Sequence, residues 1–263
     1  SIDYIERDVV SSLISKNKAR AYYIFFNIFS LSMFFVPMVK NLALIWVAIE
    51  MTTLASAFLV GFYNTKASIE AAWKYIIICS VGIIFALFGT IVFYYAASSV
   101  GVKSLNWADM VSVSQHMDKN LVKIAFLFIL VGYGTKAGLA PMHTWLPDAH
   151  SQAISPISAL LSGVLLKTAI YAILRFSIIT NKCVGIDFSS KLFIIFALVS
   201  LGISAGFIII QKQMKRLLAY SSIEHIGVIF LGLGFGGAIG AYGALFHILN
   251  HAVTKSLMFF GAA

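Results

Sequence analysis

The chain has 263 residues, 60% of them hydrophobic and only 11% charged, and a mean hydropathy of +0.93, whereas an ordinary soluble domain is about half apolar and about a quarter charged. That composition leaves too little polar surface for a water-soluble globule, so most of the chain is expected to face lipid. The formal net charge of +9 does not indicate a nucleic-acid partner, because the basic residues neither form one block nor interleave with aromatics and many fall between apolar runs, as topology signals do.

Segment 1–20 is polar and lacks a short apolar core followed by a small-residue cleavage site, so it does not read as a signal peptide. The chain lacks an initial Met and ends on the apolar run Phe259-Phe260-Gly261-Ala262-Ala263, and it is expected to be a piece of a longer fold. Apolar runs long enough to cross about 30 Å of hydrocarbon then follow at 21–39, 42–63, 69–97, 121–140, 154–176, 192–210, 218–235 and 240–262. These predict an all-α, polytopic bundle of about eight spans forming a single membrane domain. Helices are required because backbone polar groups in lipid must be satisfied within the segment, and the runs do not alternate as the strands of a barrel would. Most connections are short, Lys40-Asn41 being the tightest, which makes neighbours antiparallel. The longest polar loop is 100–120, with Trp107, Asp109, His116 and Asp118. Arg7, Lys16, Lys18 and Arg20 fall on the same side as Lys66, Lys212, Lys215 and Arg216. Lys40, Lys103, Lys119, Lys182 and Lys191 fall on the other, and this spread does not fix the orientation.

In the fourth span Gly132, Gly134, Gly138 and Pro141 crowd the second half, followed by the semi-polar run Met142-His143-Thr144-Trp145-Leu146-Pro147-Asp148-Ala149-His150. Pro and Gly at this density break a helix. A broken membrane helix is tolerated where it is buried in protein or lines a wet cavity, and such helices mark ion paths. One crossing of two half-helices is therefore expected, with the break just after Lys136.

Several ionisable residues lie in lipid-length runs. Glu50 stands near the middle of 42–63, where a charge costs on the order of 3 kcal/mol on insertion scales; it is either protonated or paired with a cation, the alternative being a neutral structural hydrogen bond. Lys136 sits at the predicted break. Desolvation works against the charged form of a buried lysine and a nearby carboxylate works for it, so a lysine balanced between them can load and release a proton; snorkelling to an interface is the other reading. Lys167 is the midpoint of 154–176, too deep for easy snorkelling, with Ser158, Ser162 and Thr168 near it. His247, His251 and Lys255, at i, i+4 and i+8, share one helix face and suit a proton relay, histidine titrating near neutral pH. The histidine pair can also be read as zinc ligands, but no third ligand stands within the motif.

Glu224 and His225 are placed near a helix start, where a cap and a functional pair are both open readings. Glu70 and Lys74 read as an ordinary i, i+4 pair at the interface. Asp148 and His150 either close the mouth of the broken helix or cap the next one. Cys79 and Cys183 support neither a disulfide framework nor a metal site, and Cys79 reads as a small packing residue. With no nucleotide loop, no nucleophile arrangement and no cysteine cluster, neither catalytic residues, nor a metal, nor a cofactor, nor redox chemistry is expected in this chain.

The run Val131-Gly132-Tyr133-Gly134-Thr135-Lys136-Ala137-Gly138-Leu139-Ala140-Pro141-Met142-His143-Thr144-Trp145-Leu146-Pro147-Asp148-Ala149-His150, with Ser155-Pro156 and Leu165-Leu166-Lys167 after it, resembles the antiporter-like family of membrane subunits. That family is shared by respiratory complex I, energy-converting hydrogenases and Mrp sodium/proton antiporters, and the likeness runs from Trp46-Val47-Ala48-Ile49-Glu50 to His251-Ala252-Val253-Thr254-Lys255. Glu70-Ala71-Ala72-Trp73-Lys74-Tyr75, Ser222-Ile223-Glu224-His225 and Leu249-Asn250-His251 are most similar to component F of hydrogenase 4. The resemblance implies a fold of about fourteen helices in two inverted repeats, of which this chain matches approximately the fourth through eleventh. It implies that Glu50 pairs with Lys136 of the discontinuous helix, that Lys167 passes protons laterally, and that His247, His251 and Lys255 continue the path. It also implies other membrane subunits, a peripheral redox arm and a prokaryotic inner membrane.

Three functions are weighed on these residues: a proton-translocating subunit of a complex I-like oxidoreductase or membrane-bound hydrogenase, a sodium/proton antiporter subunit of the Mrp kind, and a non-pumping membrane scaffold whose charges are structural pairs. Buried charges cost stability, which gives a pure scaffold little reason to keep several.

Overall fold

Polar residues that can accept a hydrogen bond from a helix's first free amides stand at the heads of several apolar runs. Asn41 Oδ1 accepts from Ala43 and Leu44, Thr65 Oγ1 from Ser68, and Asp118 Oδ1 from Asn120 and Leu121. The computed structural model describes residues 2–10 and 14–262, and among them the regular elements are helical. In chain order these are α1 (Ile2–Val10), α2 (Lys16–Met38), α3 (Leu42–Val60), α4 (Lys66–Ser98), α5 (Trp107–Val113), α6 (Lys119–Ala137), α7 (Trp145–Gln152), α8 (Ser155–Leu160), α9 (Leu166–Val184), α10 (Ile186–Ile210), α11 (Met214–Phe235) and α12 (Gly237–Gly261). A 3-10 turn, Ser114–His116, follows α5, and a π-helical turn, Leu161–Leu165, joins α8 to α9.

Among the described residues seven segments are long and apolar enough to cross a membrane, α8 to α9 counting as the single stretch Ser155–Val184. The expected eighth, α12, is a 25-residue helix but not one of the seven; its glycines, Asn250, His247, His251 and Lys255 dilute its apolar character. Helices also run past the apolar stretches that predicted them. The 33-residue α4 starts at Lys66, and at 1.5 Å per residue it is longer than the hydrocarbon core of a bilayer. The 100–120 segment, expected as a loop, holds α5 and the 3-10 turn, anchored by the Trp107 indole N–H on Arg175 O at 2.9 Å.

The break in the fourth span lies where the Gly and Pro density placed it. Lys136 is in the last turn of α6, and Gly138, at φ +84°, ends the helix in the left-handed region that a side chain disfavours. Leu139 N–H returns to Gly134 O at 2.9 Å, and the Trp145 indole N–H at the head of α7 takes Thr135 O at 2.8 Å. Residues 138–144 thus interrupt the helix without leaving those carbonyls unpaired.

Small residues bring α4 and α6 together. A Cβ on Gly82 would lie 2.7 Å from Thr135 Cβ, and one on Gly89 would lie 2.8 Å from Ala125 O, so the backbones touch there as membrane helices do at small-residue seams. Large apolar side chains such as Leu31, Phe34, Phe58, Trp73, Ile84, Leu198 and Leu245 point outward, as a lipid-facing surface requires.

Candidate proton-transfer site

Glu50 in the third turn of α3 is half-buried between α3 and α4. Its carboxylate accepts from the Thr53 hydroxyl at 3.2 Å and from the Ser80 hydroxyl at 3.3 Å. Nearby, the Trp46 indole N–H fastens α3 to Ile83 O of α4 at 2.8 Å.

Lys136 is fully buried. Its ammonium donates to Thr53 Oγ1 at 2.8 Å and to the Tyr75 hydroxyl at 2.7 Å, and it lies 4.7 Å from the Tyr75 ring centroid. No direct Glu50–Lys136 ion pair is present among the described residues. The two charges, within electrostatic reach of each other, share the Thr53 hydroxyl. Tyr75 in turn meets the Ser56 hydroxyl at 2.7 Å.

A second set of polar groups gathers around Lys167, in the first turn of α9. The π-helical turn before it widens the backbone, and the Lys167 ammonium reaches Ser162 O; π turns recur at functional positions. The ammonium also meets His251 Nδ1 of α12 at 2.5 Å. The two helices come close because Gly163 has no side chain: a Cβ there would meet the Ser256 hydroxyl and, at 3.2 Å, Ala252 O.

His225 of α11 closes the group. Its Nδ1 meets His247 Nε2 at 2.9 Å, and its ring centroid lies 5.1 Å from that of His251. The expected straight file along α12 is thus a cluster shared between α11 and α12. His225 and Glu224 are not caps, since α11 begins at Met214 and they sit about three turns into it. Glu224 stands within electrostatic reach of Lys255, whose ammonium donates to Leu218 O at 3.1 Å. Among the described residues no group of three His, Cys, Asp or Glu side chains is arranged to hold a metal ion.

Asp148 and His150 part company, as residues two apart on a helix do. Asp148 faces the rim, where its carboxylate pairs with Lys74 at 3.2 Å and Arg216 at 3.3 Å, while Glu70 pairs with Lys74 at 2.8 Å. This ties α7 to α4 and α11 and places Lys66, Lys74 and Arg216 on one side of the bundle. His150 points inward, buried, its ring stacked on Phe259 at 4.9 Å. It lies within electrostatic reach of Lys255 and Lys167, and neither ring nitrogen has a hydrogen-bond partner among the described residues. Ser158 pins the α7–α8 corner through His150 O at 3.0 Å, Thr168 bonds its own helix at Leu165 O, and Ser162 meets Ser222 at 2.8 Å.

Sequence reasoning missed Thr53, Ser56, Tyr75 and Ser80. Thr53 carried a signal, since it lies at i+3 from Glu50 and hence on the same helix face; Tyr75 and Ser80 reach the site only through packing across helices.

A multi-pass helical bundle with a lysine buried at a helix break and lysine–histidine contacts between helices defines a polytopic membrane protein with a discontinuous helix. The pattern of the NADH:quinone oxidoreductase/Mrp antiporter transmembrane family matches residues 39–263, and the chain belongs to that family. It is 42% identical over 260 residues to a hydrogenase-4 component F homolog of Methylacidiphilum infernorum (isolate V4), covering 98% of this chain and 55% of that protein. It is similar in structure to a chain of the membrane-bound sulfane sulfur reductase, an archaeal respiratory membrane complex, with TM-score 0.84, 29% identity and coverage of 91% of this chain and 48% of that one. A chain of the Mrp complex from Dietzia sp. DQ12-45-1b aligns with TM-score 0.81 and 26% identity over 91% of this chain and 26% of that one. The chain spans about half the length of the hydrogenase-4 relative and of the sulfur-reductase chain.

Proposed function

We propose that the whole protein is a proton-translocating membrane subunit of a complex I-like oxidoreductase or membrane-bound hydrogenase in a prokaryotic inner membrane. In this reading the chain supplies approximately helices four to eleven of the inverted-repeat fold. Other membrane subunits flank it, and a peripheral arm holds the cofactors and carries the redox reaction. The observation that supports this is Lys136: a fully buried ammonium at a helix break, held by two hydroxyls and separated from Glu50 by one of them.

A change in how closely Glu50 approaches alters how strongly the Lys136 ammonium is stabilised. Weakened, it gives up its proton toward Lys167, which passes it to His251 across their 2.5 Å contact. His225, His247 and Lys255 continue the path between α11 and α12. Replacing Lys136 with Met is expected to abolish proton uptake by inside-out vesicles energised through the complex's own redox reaction, with assembly intact on native gels. Undiminished uptake refutes the proposal.

The likeness to the Dietzia Mrp chain supports a second reading, sodium/proton exchange by the same polar groups. Sodium-dependent pH changes in vesicles given no electron donor would establish it in place of the first.

A further inference from the structure

We infer that Thr53 passes protons between Lys136 and Glu50, an inference that rests on the proton-translocating reading above. Its geometry differs from that of four other hydroxyls in this part of the bundle. Thr52 bonds Ile49 O at 2.6 Å, Ser56 bonds Thr52 O at 2.5 Å, Thr90 bonds Ala86 O at 2.8 Å and Thr135 bonds Val131 O at 2.7 Å. Each of these spends its proton on its own helix, the usual habit of Ser and Thr in helices. Thr53 reaches its own Ile49 O only at 3.5 Å, whereas Lys136 Nζ lies at 2.8 Å and Glu50 Oε2 at 3.2 Å.

Donor directions follow from chemistry. An ammonium only donates and an ionised carboxylate only accepts, so Lys136 donates to Thr53 Oγ1 and Thr53 donates to Glu50. The branch through Tyr75 ends differently. Ser56 commits its proton to Thr52 O, so the Tyr75 hydroxyl donates to Ser56, and that chain terminates on a backbone carbonyl that cannot keep a proton. Of the two hydroxyls that Lys136 touches, Thr53 leads to a group able to hold one.

The transfer is a paired shift. An N–H bond of Lys136 breaks as an O–H bond forms on Thr53, and the original Thr53 O–H breaks as one forms on Glu50 Oε2. Ammonium and carboxylate become amine and carboxylic acid, Thr53 is unchanged, and no electron moves. The reverse shift restores the charges. Glu50, half-buried, thereby has a route to the fully buried Lys136.

The test compares Thr53→Val, which keeps the shape and removes the hydroxyl, with Thr53→Ser, which keeps it, in the full-length protein within its complex. Proton uptake by inside-out vesicles is expected to fall about 100-fold in the valine variant, the scale of a lost proton-transfer group, and to be retained in the serine variant. The infrared carbonyl band of protonated Glu50, assigned by its loss in Glu50→Gln, is expected to appear on turnover in the native and serine proteins and not in the valine variant. Should Thr53→Val fail to assemble, Thr53→Ala takes its place with the same expectations. Native uptake with an undiminished band in the hydroxyl-free variant overturns the role of Thr53. If Glu50→Gln stops uptake while Thr53→Val does not, only this link fails; if Glu50→Gln and Lys136→Met both pump at the native rate, the underlying function fails with it.

Discussion

Replacing Lys136 with Met separates a charge kept for transport from one kept for stability. The ammonium makes two hydrogen bonds, to Thr53 and Tyr75, and bonds to a charged group contribute about 1.5–3 kcal/mol each, hence about 3–6 in all. Against this stands the several kcal/mol that it costs to bury an ammonium, a cost the thioether avoids. No donor is orphaned by the change, because Thr53 still donates to Glu50 and Tyr75 still meets Ser56. The side chains are similar in volume, so the net change is expected to lie within about 2 kcal/mol of zero. Lys136→Ala instead leaves a cavity and is expected to be less stable by about 2–5 kcal/mol, the range for large-to-small changes in a core. Denaturant unfolding in detergent, with assembly read on native gels, makes the comparison. A Met variant as unstable as the Ala variant would mean that the charge is structural, and the scaffold role would then stand in place of transport.

Three further outcomes are expected. Gly82→Leu places a side chain where a Cβ alone would be 2.7 Å from Thr135; overpacking of this kind costs about 1–3 kcal/mol or more, and size-exclusion profiles should show loss of folded protein. Asp148→Asn breaks pairs whose side chains are 24–48% exposed, so it should lower stability by no more than about 1 kcal/mol, and the difference should vanish in high salt. His251→Leu removes the partner that Lys167 meets across helices and should slow vesicle proton uptake about 100-fold, with the complex still assembled.

The membrane spans were legible because lipid imposes a length and an apolar character that no other environment demands. The break was legible because Gly132, Gly134, Gly138 and Pro141 are the residues that allow close approach, a left-handed cap and an end to the hydrogen-bond ladder. Helix ends were less so, since α4, α10 and α11 start at Lys66, Ile186 and Met214, ahead of the apolar runs, where hydropathy gives little signal. That displacement had a functional consequence: with α11 taken to start at 218, His225 looked like a residue near a cap, and its contacts with His247 and His251 were hidden. The charges themselves stood out, whereas their hydroxyl partners did not. Ser and Thr are common on membrane helices, and only the crossing of α3, α4 and α6 distinguishes Thr53 from Thr52.

The irregular turns and the buried lysines are connected by hydrogen-bond supply. A regular helix offers few free acceptors, because its carbonyls are already paired, yet an ammonium in an apolar interior needs several. Lys136 lies in the final turn of a helix and takes two hydroxyls from neighbouring helices. Lys167 takes the Ser162 carbonyl at the π turn. Lys215 takes Ala153 O, just past the end of α7, at 3.2 Å. Lys255 takes Leu218 O, a carbonyl it shares with the Ser222 hydroxyl. A sequence that straightened 161–165 into continuous α-helix would withdraw the Ser162 carbonyl from Lys167 while leaving its charge in place. The π turn is therefore a condition for keeping Lys167 inside the bundle, whereas Lys136 is kept there by hydroxyls of α3 and α4, and proton transfer through the two depends on backbone geometry as well as on side chains.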